Sequence, residues 1–213
     1  MPLSPSDLAG FLLEVGAVRL QPLNPFTWAS GLKSPIYCDN RQLLGLPGMR
    51  DRIVAELAHR ASSWQPTLIA GAATAGIPWA ALVADRLGLP MAYVRPEPKK
   101  HGMGRQVEGP HAKGFRVVLI EDLISTGGSS LRCAEALRAE GADVAAVLAL
   151  FSYGLPQAAE AFAQARLPLE VLASFEALAE EARARAILDT AGSEALSAWR
   201  SDTVAWSRAR GGA

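Results

Sequence analysis

The run Val117-Val-Leu-Ile-Glu121-Asp122-Leu123-Ile124-Ser125-Thr126-Gly127-Gly128-Ser129-Ser130 concentrates the chemistry of this chain. It reads as an apolar strand, two adjacent carboxylates, a turn of hydroxyls and glycines, and then a helix. Gly127 and Gly128 let the main chain approach a ligand closely and take positive φ. The hydroxyls of Ser125, Thr126 and Ser129 can donate to oxyanions. The N-terminus of the following helix adds free N–H groups and partial positive charge. Together these make a cradle for phosphate. Carboxylates repel a neighbouring phosphate unless they bind something else. Ribose hydroxyls or hydrated magnesium would suit Glu121 and Asp122. The residues therefore point to a phosphorylated ribose. A simple capped turn between strand and helix would need neither acid. No G-x-x-x-x-G-K-[ST] and no G-x-G-x-x-G after a strand offers a competing phosphate site.

Two further segments could join this one. Residues 95–116 carry Arg95, Lys99, Lys100, Arg105, Lys113 and Arg116 against Glu97 and Glu108, a net +4 in a neutral chain. Glycines at 102, 104, 109 and 114 loosen the segment. A mobile cationic loop suits closure over a polyanion such as pyrophosphate, with water excluded. The second segment is Phe26-Thr-Trp-Ala-Ser-Gly-Leu-Lys33-Ser34-Pro-Ile36-Tyr37-Cys-Asp-Asn-Arg41. Its hydroxyls and aromatics could line a pocket for a flat polar heterocycle. Taken alone, it would equally be a loop packed on the core.

The order acid-acid, two apolar residues, Ser-Thr-Gly-Gly resembles the phosphoribosyl pyrophosphate (PRPP) motif of type I phosphoribosyltransferases. With S-G-L-K-S-P-I-Y-C-D-N-R before it and the Arg-x3-Lys-x-His-Gly loop between, the chain resembles the orotate phosphoribosyltransferase family. The likeness covers most of residues 20–155. It implies transfer of ribose 5-phosphate from PRPP to orotate, giving orotidine 5′-monophosphate and pyrophosphate in pyrimidine (UMP) synthesis. It implies Mg2+, held mainly by PRPP and water, and a homodimer whose loop 95–111 reaches the neighbouring subunit's site. By position, Ser125 to Ser129 would hold the 5-phosphate, with Leu123 and Ile124 in the same motif, and Glu121 and Asp122 would meet the ribose. Arg95, Lys99, Lys100 and His101 would meet pyrophosphate. Lys33, Ser34, Ile36, Tyr37, Ser125 and Tyr153 would surround orotate. Lys99 and Asp122 would carry the catalysis. Ala29, Pro96 and Tyr153 stand where other branches place basic residues.

The elements that must position these groups follow from periodicity. After Ser6 as cap, Leu8, Phe11, Leu12 and Val15 predict a first helix, and Gly48–Trp64 predicts a second. Strands are expected at 35–38, 67–70, 91–94, 116–120, 143–151 and 169–173. Helices are expected at 77–87, 129–140, 157–165, 175–188 and near 194–199. Apolar strands alternating with helices predict an α/β fold, a Rossmann-like parallel sheet flanked by helices. Ligands bind beyond the carboxyl ends of such strands. The resemblance adds a single domain over residues 1–213, with residues 1–45 forming a small hood lobe. Residues 208–213 read as a frayed tail.

Composition bounds the remaining classes. The chain has 213 residues, 50% hydrophobic and 20% charged, with 21 basic and 21 acidic side chains. That suits a packed core and argues against disorder or a nucleic-acid coat. Cys38 and Cys133 match neither a disulfide framework nor a zinc site. The longest apolar run, Val144–Phe151, is far short of a membrane span. Residues 1–10 lack the basic end of a signal peptide. The expectation is a cytoplasmic enzyme with no membrane or nucleic-acid partner. A transferase for another base, or a PRPP-sensing regulator of the same fold, is the alternative; the hood segment opposes the former, and no DNA-reading helix supports the latter. His59 and His111 read as solvent-facing, and Cys133, Trp199 and Trp206 as packing residues.

Overall fold

The structure is a computed structural model, and it describes residues 3–28, 30–97 and 105–213. Helix α1 (Pro5–Glu14) is followed by two hairpins: β1 (Val18–Leu20) pairs with β4 (Ile36–Cys38), and β2 (Phe26–Thr27) pairs with β3 (Lys33–Ser34). A 3-10 helix, Asn40–Gly45, leads into α2 (Pro47–Ser63). The alternating part follows as β5 (Leu68–Ala72), α3 (Gly76–Leu87), β6 (Met91–Val94), β7 (Val107–Glu108), β8 (Arg116–Ile124), α4 (Gly128–Ala139), β9 (Asp143–Ser152), α5 (Pro156–Gln164) and β10 (Leu169–Ser174). Three helices close the order: α6 (Phe175–Ala184), α7 (Thr190–Ser201) and α8 (Thr203–Arg208).

Six strands form the main sheet in the order β10-β9-β8-β5-β6-β7, parallel throughout except for β7. This is the expected α/β sheet with helices on both faces. Period-2 alternation divides the core. Ile69, Val118 and Leu148 pack with α1, α2 and α3, whereas Leu68, Val117, Leu119 and Val147 pack with Cys133 and Leu137 of α4 and Phe162 of α5. The chain leaves β5 toward β6 and returns to β8 on the other side. The crevice between β5 and β8 is thus the topological switch point, where open α/β sheets bind ligands.

Several boundaries differ from the sequence expectation. The first helix is capped by Ser4, not Ser6. Asp7 N–H donates to Ser4 Oγ at 3.0 Å and Ser4 N–H to Asp7 Oδ2 at 3.3 Å, with Pro5 in the first turn. The helix expected over 175–188 stops at Ala184, because Ala186 turns to φ 55°. A new helix then starts on the Asp189 cap, whose Oδ1 accepts from Gly192 N–H at 2.7 Å. The tail is not free. Gly212 N–H bonds the Ser207 carbonyl at 3.0 Å, and Ala213 N–H bonds the Gly31 carbonyl at 3.1 Å.

Candidate active site

Strand β8 does not end at Ile120. It continues through both acids because β9 is long enough to pair with it, with Glu121 opposite Ala149 and Ile124 opposite Ser152. Its ladder to β5 stops at Gly71–Ile120. Beyond that point the β5-side edge of β8 is open, and the loop 73–75 and the first turn of α3 fill the gap. A Cβ on Gly76 would strike the Ile120 carbonyl. This close approach requires glycine. The loop after β5 borders the same ledge, which motif reading did not single out; the switch-point rule and the glycine after Thr74 were its only signals.

The acids on this ledge have different surroundings. Glu121 is buried, and its Oε2 accepts from Ser130 Oγ at 3.0 Å while its Oε1 accepts from the Asp122 N–H at 3.1 Å. Burial, and then the charge of Asp122, push the Glu121 carboxyl up to about 8. Asp122 is only half-buried. Burial raises it too, against the opposing influence of its hydrogen bond with Glu121 and the charge of Arg41. The two adjacent carboxyls act as a pair, and burial raises both.

A prediction follows for the ligand-free protein. A carboxyl raised from 4.5 to about 8 contributes stability that is fully present below about 4.5 and lost as pH rises through about 8. Between pH 6 and pH 9, Tm should fall further in the wild type than in Glu121→Gln, which keeps an acceptor for Ser130. Thermal unfolding of both across that range checks it.

The turn before α4 is set by both conformation and packing. Gly127 takes φ 80° and a Cβ there would lie 2.7 Å from Phe162 Cε2, so both conformation and packing demand glycine. No side chain caps the first turn of α4. The hydroxyls of Ser125, Thr126 and Ser129 are therefore not spent on its N–H groups, which removes the simple capped-turn reading. Thr126 and Ser129 are exposed and Ser125 half-buried. Ile124 is fully buried, and Leu123 packs on the core. Of the expected phosphate contacts these two can offer only main-chain groups.

The N-terminal lobe is pinned to the same ledge. Asn40 Nδ2 donates to the Asp122 carbonyl at 2.6 Å, and Cys38 Sγ donates to Asn40 Oδ1 at 3.2 Å. Burial, with Asp122 and Asp39 nearby, pushes the Cys38 thiol far up. Among the expected orotate contacts, Ser34 and Ile36 are buried, and Ser34 Oγ donates to the Ile36 carbonyl at 2.9 Å. Both side chains are closed off from solvent. Lys33 Nζ donates to Thr27 Oγ1 at 2.8 Å across its own hairpin. Tyr37 remains half-buried, 5.6 Å from Phe26, with the Arg19 guanidinium 5.1 Å from its ring centre. Tyr153 is buried, stacked on Trp28 at 5.6 Å and edge-on to Trp199 at 5.6 Å. It sits inside this aromatic cluster, and burial raises its hydroxyl well above the usual tyrosine range.

The cationic loop is less free than its charge count suggests. Arg105 forms a two-point pair with Glu140 at 3.0 and 3.2 Å. Arg116 is bound to Asp143 and donates to the Trp64 carbonyl at 2.8 Å. Arg95 lies 3.6 Å from Glu108, at a stem closed by Arg95 N–H to the Gln106 carbonyl at 2.9 Å. Lys99, Lys100 and His101 lie outside the described residues. Among the described residues no three metal-ligating side chains come together, so no all-protein cage is built; Asp122 is the half-buried hard-oxygen donor at the ledge. The large open groove of about 670 Å³ between α6 and α7, lined by Arg183, Leu188 and Asp189, contains none of these groups.

Comparison with known proteins agrees with this geometry. The phosphoribosyl transferase domain model matches residues 49–164. The orotate phosphoribosyltransferase of Bacillus caldolyticus is 50% identical over 202 residues, 94% of this chain and 98% of that one. The crystal structure of orotate phosphoribosyltransferase from Aeropyrum pernix superposes with TM-score 0.71 at 34% identity, covering 85% of this chain and 99% of that one. Leishmania donovani UMP synthase superposes with TM-score 0.75 at 28% identity, over 91% of this chain and 41% of that longer chain. On these matches and on its switch-point cradle, the chain belongs to the orotate phosphoribosyltransferase family.

Proposed function

We propose that the ledge at residues 121–130 holds the PRPP of this family's reaction, the transfer of ribose 5-phosphate to orotate with release of pyrophosphate. The observation that carries the reading is the uncapped first turn of α4 beside the adjacent acids Glu121 and Asp122 at the switch point. Ser125, Thr126, Gly127, Gly128 and Ser129 hold the 5-phosphate. Asp122 accepts from the ribose hydroxyls and faces the positive charge that develops on the sugar as its anomeric bond breaks. Glu121 holds Asp122 in place from behind. Orotate is already an anion, so its ring nitrogen needs no strong protein base; positioning does most of the work.

Residues 1–45 form the hood within a single domain, and Tyr37 covers the orotate ring with Tyr153 behind it. Arg95, Lys99, Lys100 and His101 meet the pyrophosphate, which requires Arg95 to leave Glu108. Asp122 is the protein oxygen suited to Mg2+, the remainder being supplied by PRPP and water, and bound magnesium would neutralise the leaving pyrophosphate. The protein works as a cytoplasmic homodimer, with loop 95–111 completing the neighbouring site. Among the described residues no helix is long and apolar enough to cross a membrane.

The test is base selection. Incubation with PRPP and magnesium should release pyrophosphate and form nucleotide with orotate, and not with uracil, hypoxanthine or adenine. Equal turnover of another base would overturn the assignment of the hood.

A further inference from the structure

The family model spans residues 49–164, so two parts of the chain lie outside it: the N-terminal lobe and the helices after β10. In the fold these two parts meet. Ser207 of α8 is fully buried, and its Oγ accepts from the Lys33 N–H at 2.8 Å, across 174 residues of sequence. Ala213 N–H reaches the Gly31 carbonyl at 3.1 Å. A Cβ on Gly212 would lie 2.9 Å from the Lys33 nitrogen. The tail thus lies against β3 and the turn that precedes it.

A second, apolar contact points the same way. Trp199 of α7 is fully buried and meets Trp28, which opens the turn of the β2–β3 hairpin, edge-on at 5.9 Å. The same indole meets Tyr153 at 5.6 Å, and Trp28 Nε1 donates to the Ile36 carbonyl at 3.3 Å. Arg200 Nε donates to the Gly154 carbonyl at 2.9 Å. The C-terminal helices therefore grip both segments that flank the orotate position, and no described hydrogen bond or ion pair of these helices reaches the cradle.

We propose that α7, α8 and the tail form a brace that sets the hairpin over orotate, with Ser207 as its positioning residue. The brace rests on the reading that the hood covers orotate. Rigid placement of the hairpin lowers the cost of ordering it when orotate binds. PRPP, held at the ledge by β8 and α4, is independent of it.

Ser207→Ala removes the acceptor for Lys33. Gly212→Val, at a half-buried position, drives a side chain against Ser207 Oγ and the Lys33 main chain and so wedges the tail from β3. Each should raise KM for orotate about fivefold or more, with KM for PRPP within about twofold of wild type. Should Ser207→Ala not fold, Gly212→Val decides. Unchanged KM for orotate in the folded variants, or an equal rise for both substrates, overturns the brace. Tyr37→Ala separates the two ideas. If it raises KM for orotate while the brace variants do not, the brace alone is wrong; if it too changes nothing, the hood reading falls and takes the brace with it.

Discussion

Asp122→Asn should lower kcat/KM for PRPP by at least about a hundredfold, a loss of ~2.7 kcal/mol in transition-state binding. The amide keeps the shape of the side chain and removes its charge. The ribose hydroxyls lose an ionised acceptor, and the developing sugar cation loses the anion that faces it. The fold should not suffer. Asp122 is half-buried, and its carbonyl, which Asn40 uses, is unaffected by the change. Its charge also raises the Glu121 carboxyl, so neutralising it relieves a buried acid. Steady-state kinetics with PRPP varied, beside a thermal melt, separates loss of function from loss of structure. Normal turnover by a folded Asp122→Asn protein would remove this residue from the ribose site.

Lys99→Ala should reduce kcat at least about tenfold, the effect of ~1.4 kcal/mol. Pyrophosphate gains negative charge as it leaves, and a cation aimed at it lowers the barrier more than it aids ground-state binding. The stem of the Lys99 loop is fixed where β6 leaves the sheet, by the Arg95–Gln106 bond and by the pairing of Val94 with Val107. Arg105 is tied to Glu140, so this cation is already neutralised within the fold. That leaves Lys99 and Lys100, with Arg95 at the stem, as the loop cations proposed to meet pyrophosphate. If the loop acts across a dimer, mixing Lys99→Ala with Asp122→Asn subunits should restore part of the activity, because one site then holds both intact groups. No recovery in verified mixed dimers would contradict loop exchange. An unchanged kcat in Lys99→Ala alone would remove the lysine from the mechanism.

The sheet was legible because its strands are continuous apolar runs separated by amphipathic helices. Val117–Ile120 could hardly be anything but a buried parallel strand. The extent of β8 was not legible. Two carboxylates look like the end of a strand, and only the length of β9 shows that they lie inside it. The cradle was legible because glycine at a positive-φ turn and free hydroxyls have local causes. The burial of Ser34, Ile36 and Tyr153 was not. Whether a side chain in a hairpin faces ligand or core depends on partners far away in sequence, here Trp28, Trp199 and Ser207. The same reason hid the anchoring of Arg105 and Arg116, whose acids lie on α4 and β9. Ser130 was within reach of sequence reasoning, since it closes the motif in the first turn of α4, but its role as the partner of Glu121 needed the fold.

A crystal structure with bound ribose 5-phosphate or PRPP decides whether the ledge grips a sugar phosphate. Phosphate oxygens are expected on the main-chain N–H groups of Gly127, Gly128 and Ser129, and sugar hydroxyls on Asp122. Sugar phosphate bound elsewhere, with the first turn of α4 bare, would contradict it.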